Sequence, residues 1–340
     1  MRGSIIPLFL LAGAVVSATA GAGFTAPIAP KVLVITMFGP ETAPWLEGRK
    51  LETRVAVPGL SKEFPDVACD AAGLCVMTTS MGYANAAASV SAVILSGRFD
   101  LSRTYVLIAG IAGVDPSDAT LGSALWARYV IDGGLRHEID PRQVPADWPN
   151  GMLGLGAEAP GEKPTWGAGT EVYHLNDLLV ERALDLTEGV ELADSPEAAA
   201  YRATYDTEAA RAAPVTRICD TASMDTYWHG SMIAGGMEQW VKAETNGAAN
   251  YCTTQMEDNS TLTALRRGAD AGLLDFDRVA VLRTASNFDR EAPGQTPVAS
   301  LAAKSGGFGP ATTNAYRVGS TYADAIIDNW PAWSEGVPAE

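Results

Sequence analysis

Short apolar runs alternate with helix-forming stretches along most of this chain. Lys31–Thr36 is a β-branched run without internal polarity, the pattern of a strand buried on both faces. Gly73–Thr79 predicts a second strand. Thr104–Ala109 predicts a third, ended by the glycines of Gly110-Ile111-Ala112-Gly113. Ser123–Ile131, Val215–Cys219, Asn250–Gln255 and Val279–Thr284 continue the strand set. Helices are predicted over Ala84–Ser96, Leu175–Leu186, Ser195–Ala212, Met256–Ala271 and Thr312–Asn329, the last stopped near Pro331. Residues 132–169 are rich in Pro and Gly and read as a long surface excursion, with a lid as one role for it. Strands alternating with helices across residues 31–335 predict one α/β domain built on a largely parallel sheet flanked by helices. In such sheets the ligand sits beyond the carboxyl ends of the strands.

The N-terminus departs from this pattern. Arg2, the apolar stretch Ile5–Val16 and the small residues of Ala18-Thr19-Ala20 read as a secretory signal peptide over residues 1–20. Residues 21–30 follow as a linker. An uncleaved membrane anchor is the alternative. No other segment approaches 18 apolar residues free of charge, so no membrane insertion of the mature chain is expected. Export would place the protein in the periplasm or outside the cell. The formal charge of −16 argues against nucleic acid and anionic membranes as partners, since both require a basic surface. It does not bear on a neutral small ligand.

Export also bears on Cys69, Cys75, Cys219 and Cys252. Four cysteines permit two disulfides in three pairings. Cys69–Cys75, around a turn at Ala71-Ala72-Gly73, with Cys219–Cys252 is the favoured set. A metal site is disfavoured, because the near pair lacks C-x-x-C spacing and His137, His174 and His229 are scattered.

Five strand-end segments hold the candidate chemistry. After the first strand comes Glu41, either a general base or a helix N-terminal acid. Ser80-Met81-Gly82-Tyr83-Ala84-Asn85 precedes an alanine-rich helix, where free backbone N–H groups suit anions or hydroxyls; a plain strand-to-helix turn is the alternative. Ser223, Tyr227 and Trp228 lie in Cys219–Gly230, which suits a pocket stacking a flat heterocycle or, equally, a packed aromatic corner. In Gln255–Asn259 a carboxylate can hold a vicinal diol or cap a helix. In Arg283–Arg290, Asn287 offers a donor and an acceptor to a purine edge, and Asp289 is a candidate acid.

These motifs, in this order, resemble the nucleoside phosphorylase/nucleosidase superfamily and, more closely, the purine nucleoside permease family. The resemblance covers nearly all of the chain beyond the leader. It implies a mixed-sheet, nucleoside-phosphorylase-like fold and no metal or organic cofactor. It implies that Met256 and Glu257 grip a ribose, with Gly82 beside them. Glu41 falls where hydrolytic relatives place the glutamate that activates water. Ser286-Asn287 stands where those relatives have a Ser-Asp pair whose acid protonates the purine, so Asp289 is the candidate to take over that role. Asn at this place also suits a 6-oxopurine, as in one branch of the phosphorylases. Ser223, Tyr227, Trp228 and Asn287 then form the base side.

Phosphorylases of the superfamily surround phosphate with arginines. None occurs in Met37–Trp45, Ser80–Asn85 or Gly110–Asp115. The leading expectation is therefore an exported purine nucleoside hydrolase acting on inosine, guanosine or adenosine. A nucleoside-binding protein supporting transport is the alternative, and a phosphate-dependent phosphorylase the third. A homo-oligomer is left open.

Overall fold

The computed structural model describes residues 26–339. The expected signal peptide and the first half of the expected linker lie outside the described residues. The linker's last residues are tied to the fold: Ile28 N–H donates to the Arg98 carbonyl (2.9 Å), and Asp100 N–H donates to the Ile28 carbonyl (2.8 Å).

The chain begins with β1 (Val32–Thr36), α1 (Gly39–Gly48), β2 (Thr53–Ala56), β3 (Asp66–Cys69), β4 (Leu74–Thr78) and α2 (Tyr83–Leu95). Next come β5 (Tyr105–Val114), β6 (Ala124–Trp126), β7 (Tyr129–Asp132), β8 (His137–Glu138), β9 (Met152–Leu153) and β10 (Val172–His174). Then α3 (Asp177–Thr187), α4 (Pro196–Arg202), α5 (Glu208–Arg211), β11 (Thr216–Ile218), β12 (Asp220–Ser223) and α6 (Ser231–Thr245). The remainder is β13 (Tyr251–Gln255), α7 (Asp258–Asp270), β14 (Val279–Phe288), α8 (Pro297–Leu301), α9 (Phe308–Asp328) and α10 (Trp330–Trp333).

All strands but β8 and β9 join one mixed sheet with a largely parallel centre. β4, β1, β5 and β14 run parallel in that order, and β7, β12 and β13 form a second parallel group. The two groups meet head to head on β5, whose last residues Gly113 and Val114 pair antiparallel with Thr254 and Thr253. The carboxyl ends of both groups therefore point at one place. β1, β4 and most of β5 are fully buried, and their Val, Leu and Ile side chains form the main core with those of α9 and the start of β14. α9 packs on β14 and β5, while α2 and α7 pack on each other.

β5 is the structural pivot. It runs on through Gly110 and Gly113, where the sequence predicts an end, because those glycines pair with Arg283 and Asn287 of β14. A Cβ at Gly110 would meet Met37 Cε at 2.2 Å, Glu41 Oε1 at 2.4 Å and Arg283 Nη1 at 2.6 Å. Glycine is there for close approach rather than for a turn.

Other differences have local causes. The predicted strand Ser123–Ile131 is two strands, β6 and β7, each with different partners. The predicted helix Ser195–Ala212 is broken into α4 and α5, with Ser195 and Thr207 as side-chain N-caps. β14 extends four residues past the predicted Thr284, through an irregularity in register between Ala285 and Asn287. α6 is absent from the sequence reading because Gly235 and Gly236 interrupt it. It forms because Ala234, Met237, Trp240 and Val241 bury one helical face against β13 and the excursion. The excursion itself carries the β8–β9 hairpin, and β10 follows directly after it.

Both favoured disulfides form. Cys69–Cys75 ties β3 to β4, and Cys219–Cys252 ties the β11–β12 junction to β13.

Candidate functional site

Where the two sets of strand ends converge lies a cavity of about 300 Å³. Its walls come from the segments after β1 (Met37, Phe38, Glu41), β4 (Met81), β12 (Thr226, Tyr227, Trp228) and β13 (Met256, Glu257), with the distal halves of β5 and β14 as its floor. Phe308, the first residue of α9, completes it. The sequence-predicted residues Glu41, Met256, Glu257, Asn287, Tyr227 and Trp228 are thus brought together.

Glu41 sits in the first turn of α1, a position that suits an acid. Its carboxylate turns out of the helix. Oε2 accepts from Met37 N–H (2.8 Å) and Oε1 from Ile111 N–H (2.7 Å). The group is 2% exposed. Burial pushes its pKa up to about 7, against the lowering effect of Arg283 and the two N–H groups. A carboxylate poised there, on a cavity wall, is suited to taking a proton near neutral pH. It thus faces the cavity and makes no hydrogen bond to the N–H groups of its own helix.

Glu257 precedes α7. Its Oε1 accepts from Gly82 N–H (3.1 Å), and burial raises its pKa while Arg283 opposes the rise. Gly82 does not line the cavity; it holds Glu257 instead, with a φ of 93° that favours glycine. Asp225 accepts from the next N–H, that of Tyr83 (2.6 Å). The exposed N–H groups at the start of α2 are therefore satisfied by carboxylates from distant strands, which fixes α2 against the cavity. Ser80 in the same loop is held at a φ of 68°, an unusual backbone for serine that marks a constrained segment.

Arg283 is the residue that sequence reasoning misses. It lines the cavity from inside β14 and is 1% exposed. Met37–Trp45, Ser80–Asn85 and Gly110–Asp115 hold no arginine, whereas this one lies within a strand. Its Nε and Nη2 both donate to the carboxylate of Asp258, the first at 3.2 Å. Nη1 donates to the Ile111 carbonyl (3.1 Å), and Nη2 lies 3.7 Å from Glu257 Oε2. Asp258 is held in turn by Gln255 Nε2 (2.6 Å). Burial lowers the Arg283 pKa, but Asp258, Glu257 and Glu41 outweigh it and keep the guanidinium charged.

The other side of the cavity is looser. Trp228 is buried, whereas Tyr227 is 58% exposed at the mouth. Asn287 accepts from Ser286 Oγ (2.8 Å) and donates to the Phe288 carbonyl (3.0 Å). It shares the register of Gly113, three positions along β5 from the Gly110–Arg283 pair, roughly 10 Å at the usual strand rise.

Besides Gly82, two further predicted residues lie elsewhere. Ser223 is fully buried at the end of β12 and does not line the cavity. Its hydroxyl bonds Asn259 Oδ1 (2.7 Å) and Tyr83 Oη (2.9 Å) and accepts from Asn259 N–H (3.0 Å), locking α7 and α2 to the sheet. Asp289 is also buried away from the cavity. The pairing of β14 ends at Phe288, and the Asp289 side chain turns inward. It accepts from Tyr251 Oη (2.7 Å) and from Arg290 Nε (2.7 Å), and Arg290 also pairs with Asp115 and Glu238. Burial raises its pKa, while Arg290 and Tyr251 oppose the rise.

The fold and the cavity at its strand ends define the nucleoside phosphorylase-like class of α/β proteins. Solved structures agree on the fold. Futalosine hydrolase of Helicobacter pylori superposes with a TM-score of 0.52 at 15% identity, covering 87% of this chain and 98% of that one. The 5′-methylthioadenosine/S-adenosylhomocysteine nucleosidase of Neisseria meningitidis gives 0.51 at 15% identity, covering 88% and 99%. Within that class, the sequence profile of the purine nucleoside permease family matches residues 29–338, and the chain belongs to this family. A probable purine nucleoside permease of Schizosaccharomyces pombe is 36% identical over 320 residues, 90% of this chain and 91% of that protein. The purine nucleoside permease of Candida albicans is 34% identical over 307 residues, 88% and 76%. Among the described residues no helix is long and apolar enough to cross a membrane.

Proposed function

We propose that this protein hydrolyses the N-ribosidic bond of purine nucleosides, releasing free base and ribose. The observation that carries this reading is Glu41, a buried carboxylate titrating near neutrality on the cavity wall, with Glu257 across from it. Glu257 accepts hydrogen bonds from the ribose hydroxyls, and Met256 packs on the sugar. Glu41 orients a water and takes its proton as the oxygen attacks C1′. The C1′–N9 bond breaks and its electron pair leaves with the purine. Asn287 hydrogen-bonds the base edge but has no proton to give, so the departing base takes its proton from solvent at the open mouth. Tyr227 and Trp228 cover the ring.

The cavity suits inosine and guanosine through the Asn287 amide, and adenosine is accepted less well. Export, read from residues 1–20, places this activity in the periplasm or outside the cell. Two disulfides fit an oxidising compartment.

A second reading follows from the name the relatives carry: a nucleoside-binding protein that hands its ligand to a transporter. Asn287 in place of an acid favours it. Incubating purified protein with inosine, guanosine and adenosine, with and without phosphate, separates the readings. Base and ribose released without phosphate support hydrolysis. Release only with phosphate means phosphorolysis. Tight binding without turnover leaves the binding protein.

A further inference from the structure

Among the described residues that line the cavity, Arg283 is the sole lysine, arginine or histidine, and two carboxylates, Glu41 and Glu257, line it too. All three guanidinium nitrogens already have acceptors: Nε and Nη2 on Asp258, Nη1 on the Ile111 carbonyl. Asp258 is fully buried and pinned from behind by Gln255. It stands directly after Glu257 at the start of α7, so its place is fixed by the same turn that aims Glu257.

This arrangement differs from an anion site. A phosphate pocket presents guanidinium or backbone N–H donors with free hydrogens. Here the Nε/Nη2 edge of Arg283 is closed by a partner of equal and opposite charge, and Nη1 is turned to the Ile111 carbonyl. The backbone donors at Met37 and Ile111 are closed by Glu41, and that at Gly82 by Glu257. With Arg283 paired to Asp258, the charge left on the cavity wall is that of Glu41 and Glu257, negative wherever they are ionised.

We propose that Asp258 is a specificity-determining residue that bars anions from the cavity: both inorganic phosphate and the phosphate of a nucleotide. It does so by neutralising Arg283, leaving Glu41 and Glu257 to repel a second negative charge. The substrate class is thereby narrowed to uncharged nucleosides. The proposal rests on the nucleoside reading of the cavity. It adds that discrimination is electrostatic and is set by a residue that touches no ligand.

The test compares inosine with inosine 5′-monophosphate by calorimetric titration, for the intact protein and for Asp258→Asn. The unaltered protein is expected to bind the nucleotide at least about tenfold more weakly than the nucleoside, the effect of bringing like charges within several ångströms. Inorganic phosphate, titrated alone, is expected to give no heat of binding. In Asp258→Asn the ratio of nucleotide to nucleoside dissociation constants should fall about tenfold, from the loss of one nearby charge. A purely structural Asp258 would weaken both ligands together and leave the ratio unchanged, and that result overturns the proposal. So does equal affinity for both ligands, or phosphate binding, in the unaltered protein. These last two measurements decide the matter even if the variant does not fold. Failure of inosine to bind at all removes the nucleoside reading itself. Inosine binding without discrimination removes only the rule against anions.

Discussion

The two ends of the cavity, three residues apart along β5, are built on different terms. At one end Glu41, Glu257 and Arg283 are almost wholly buried, and each is anchored to the backbone as well as to the others' charges. At the other, Tyr227 stands more than half exposed, and Asn287 is bonded to its sequence neighbours Ser286 and Phe288 and to the side chain of Tyr227 at the mouth. The first end is preorganised before any ligand arrives, which is what charge stabilisation requires. The second is free to adjust, which suits recognition of flat bases that differ at their edges. Under the proposed hydrolysis, the contrast gives chemistry to the rigid end and selection among bases to the adaptable one.

Glu41→Gln tests the rigid end most severely. Loss of a general base is expected to cut kcat by about 10²–10⁴-fold while inosine affinity stays within a few-fold. Equal loss of affinity and turnover would move Glu41 into the binding role. Glu257→Gln comes next. Weakening two hydrogen bonds to a charged acceptor should reduce nucleoside affinity by about 10–100-fold, read by calorimetry. Trp228→Ala at the adaptable end should cost about tenfold in affinity, similar for all three purines, as stacking does not read edges. Asn287→Asp should change the preference among the three bases more than it changes affinity for any one of them. An unchanged preference would shift base selection away from this end.

Asp289 sets the smallest expected effect on chemistry. Asp289→Asn breaks the buried network with Arg290 and Tyr251 and should destabilise the fold by about 3–5 kcal/mol. Turnover per folded molecule should stay within about threefold of the unaltered protein, because a buried group that faces no ligand acts only through stability. A much larger loss would restore Asp289 as the acid.

The raised pKa of Glu41 has a consequence for stability. The folded state favours its protonated form, so its contribution is fully present below about 4.5 and is lost as pH climbs through about 7. The shift amounts to roughly 3 kcal/mol between pH 4 and pH 8. Denaturation midpoints of Glu41→Gln should be correspondingly flatter with pH than those of the unaltered protein.

How much of this was legible in the sequence follows from the range of the interactions. The strands β1, β4 and the first half of β5 are visible as apolar runs, because burial on both faces leaves its mark residue by residue. Glu41 is visible because it comes shortly after such a run, and Met256-Glu257 through the family resemblance. Arg283 is not, because its role depends on Asp258, which only folding brings beside it. Gly110 reads as a strand end, yet its meaning is the room it leaves for Glu41 and Arg283. Ser223 and Asp289 sit within motifs of the right chemistry. Whether a side chain faces the cavity or the interior there was decided by partners far along the chain, Asn259 and Tyr83 for one, Arg290 and Tyr251 for the other. The glycines in α6 hide a helix that tertiary packing supplies.

The pH–rate profile of inosine cleavage in phosphate-free buffer, for the unaltered protein and for Glu41→Gln, tests the central claim most directly. The account predicts release of base and ribose that rises through about pH 7, as Glu41 loses its proton, and that the Glu41→Gln variant all but lacks. A rate that is flat across this range, or is unaffected by the substitution, would contradict it.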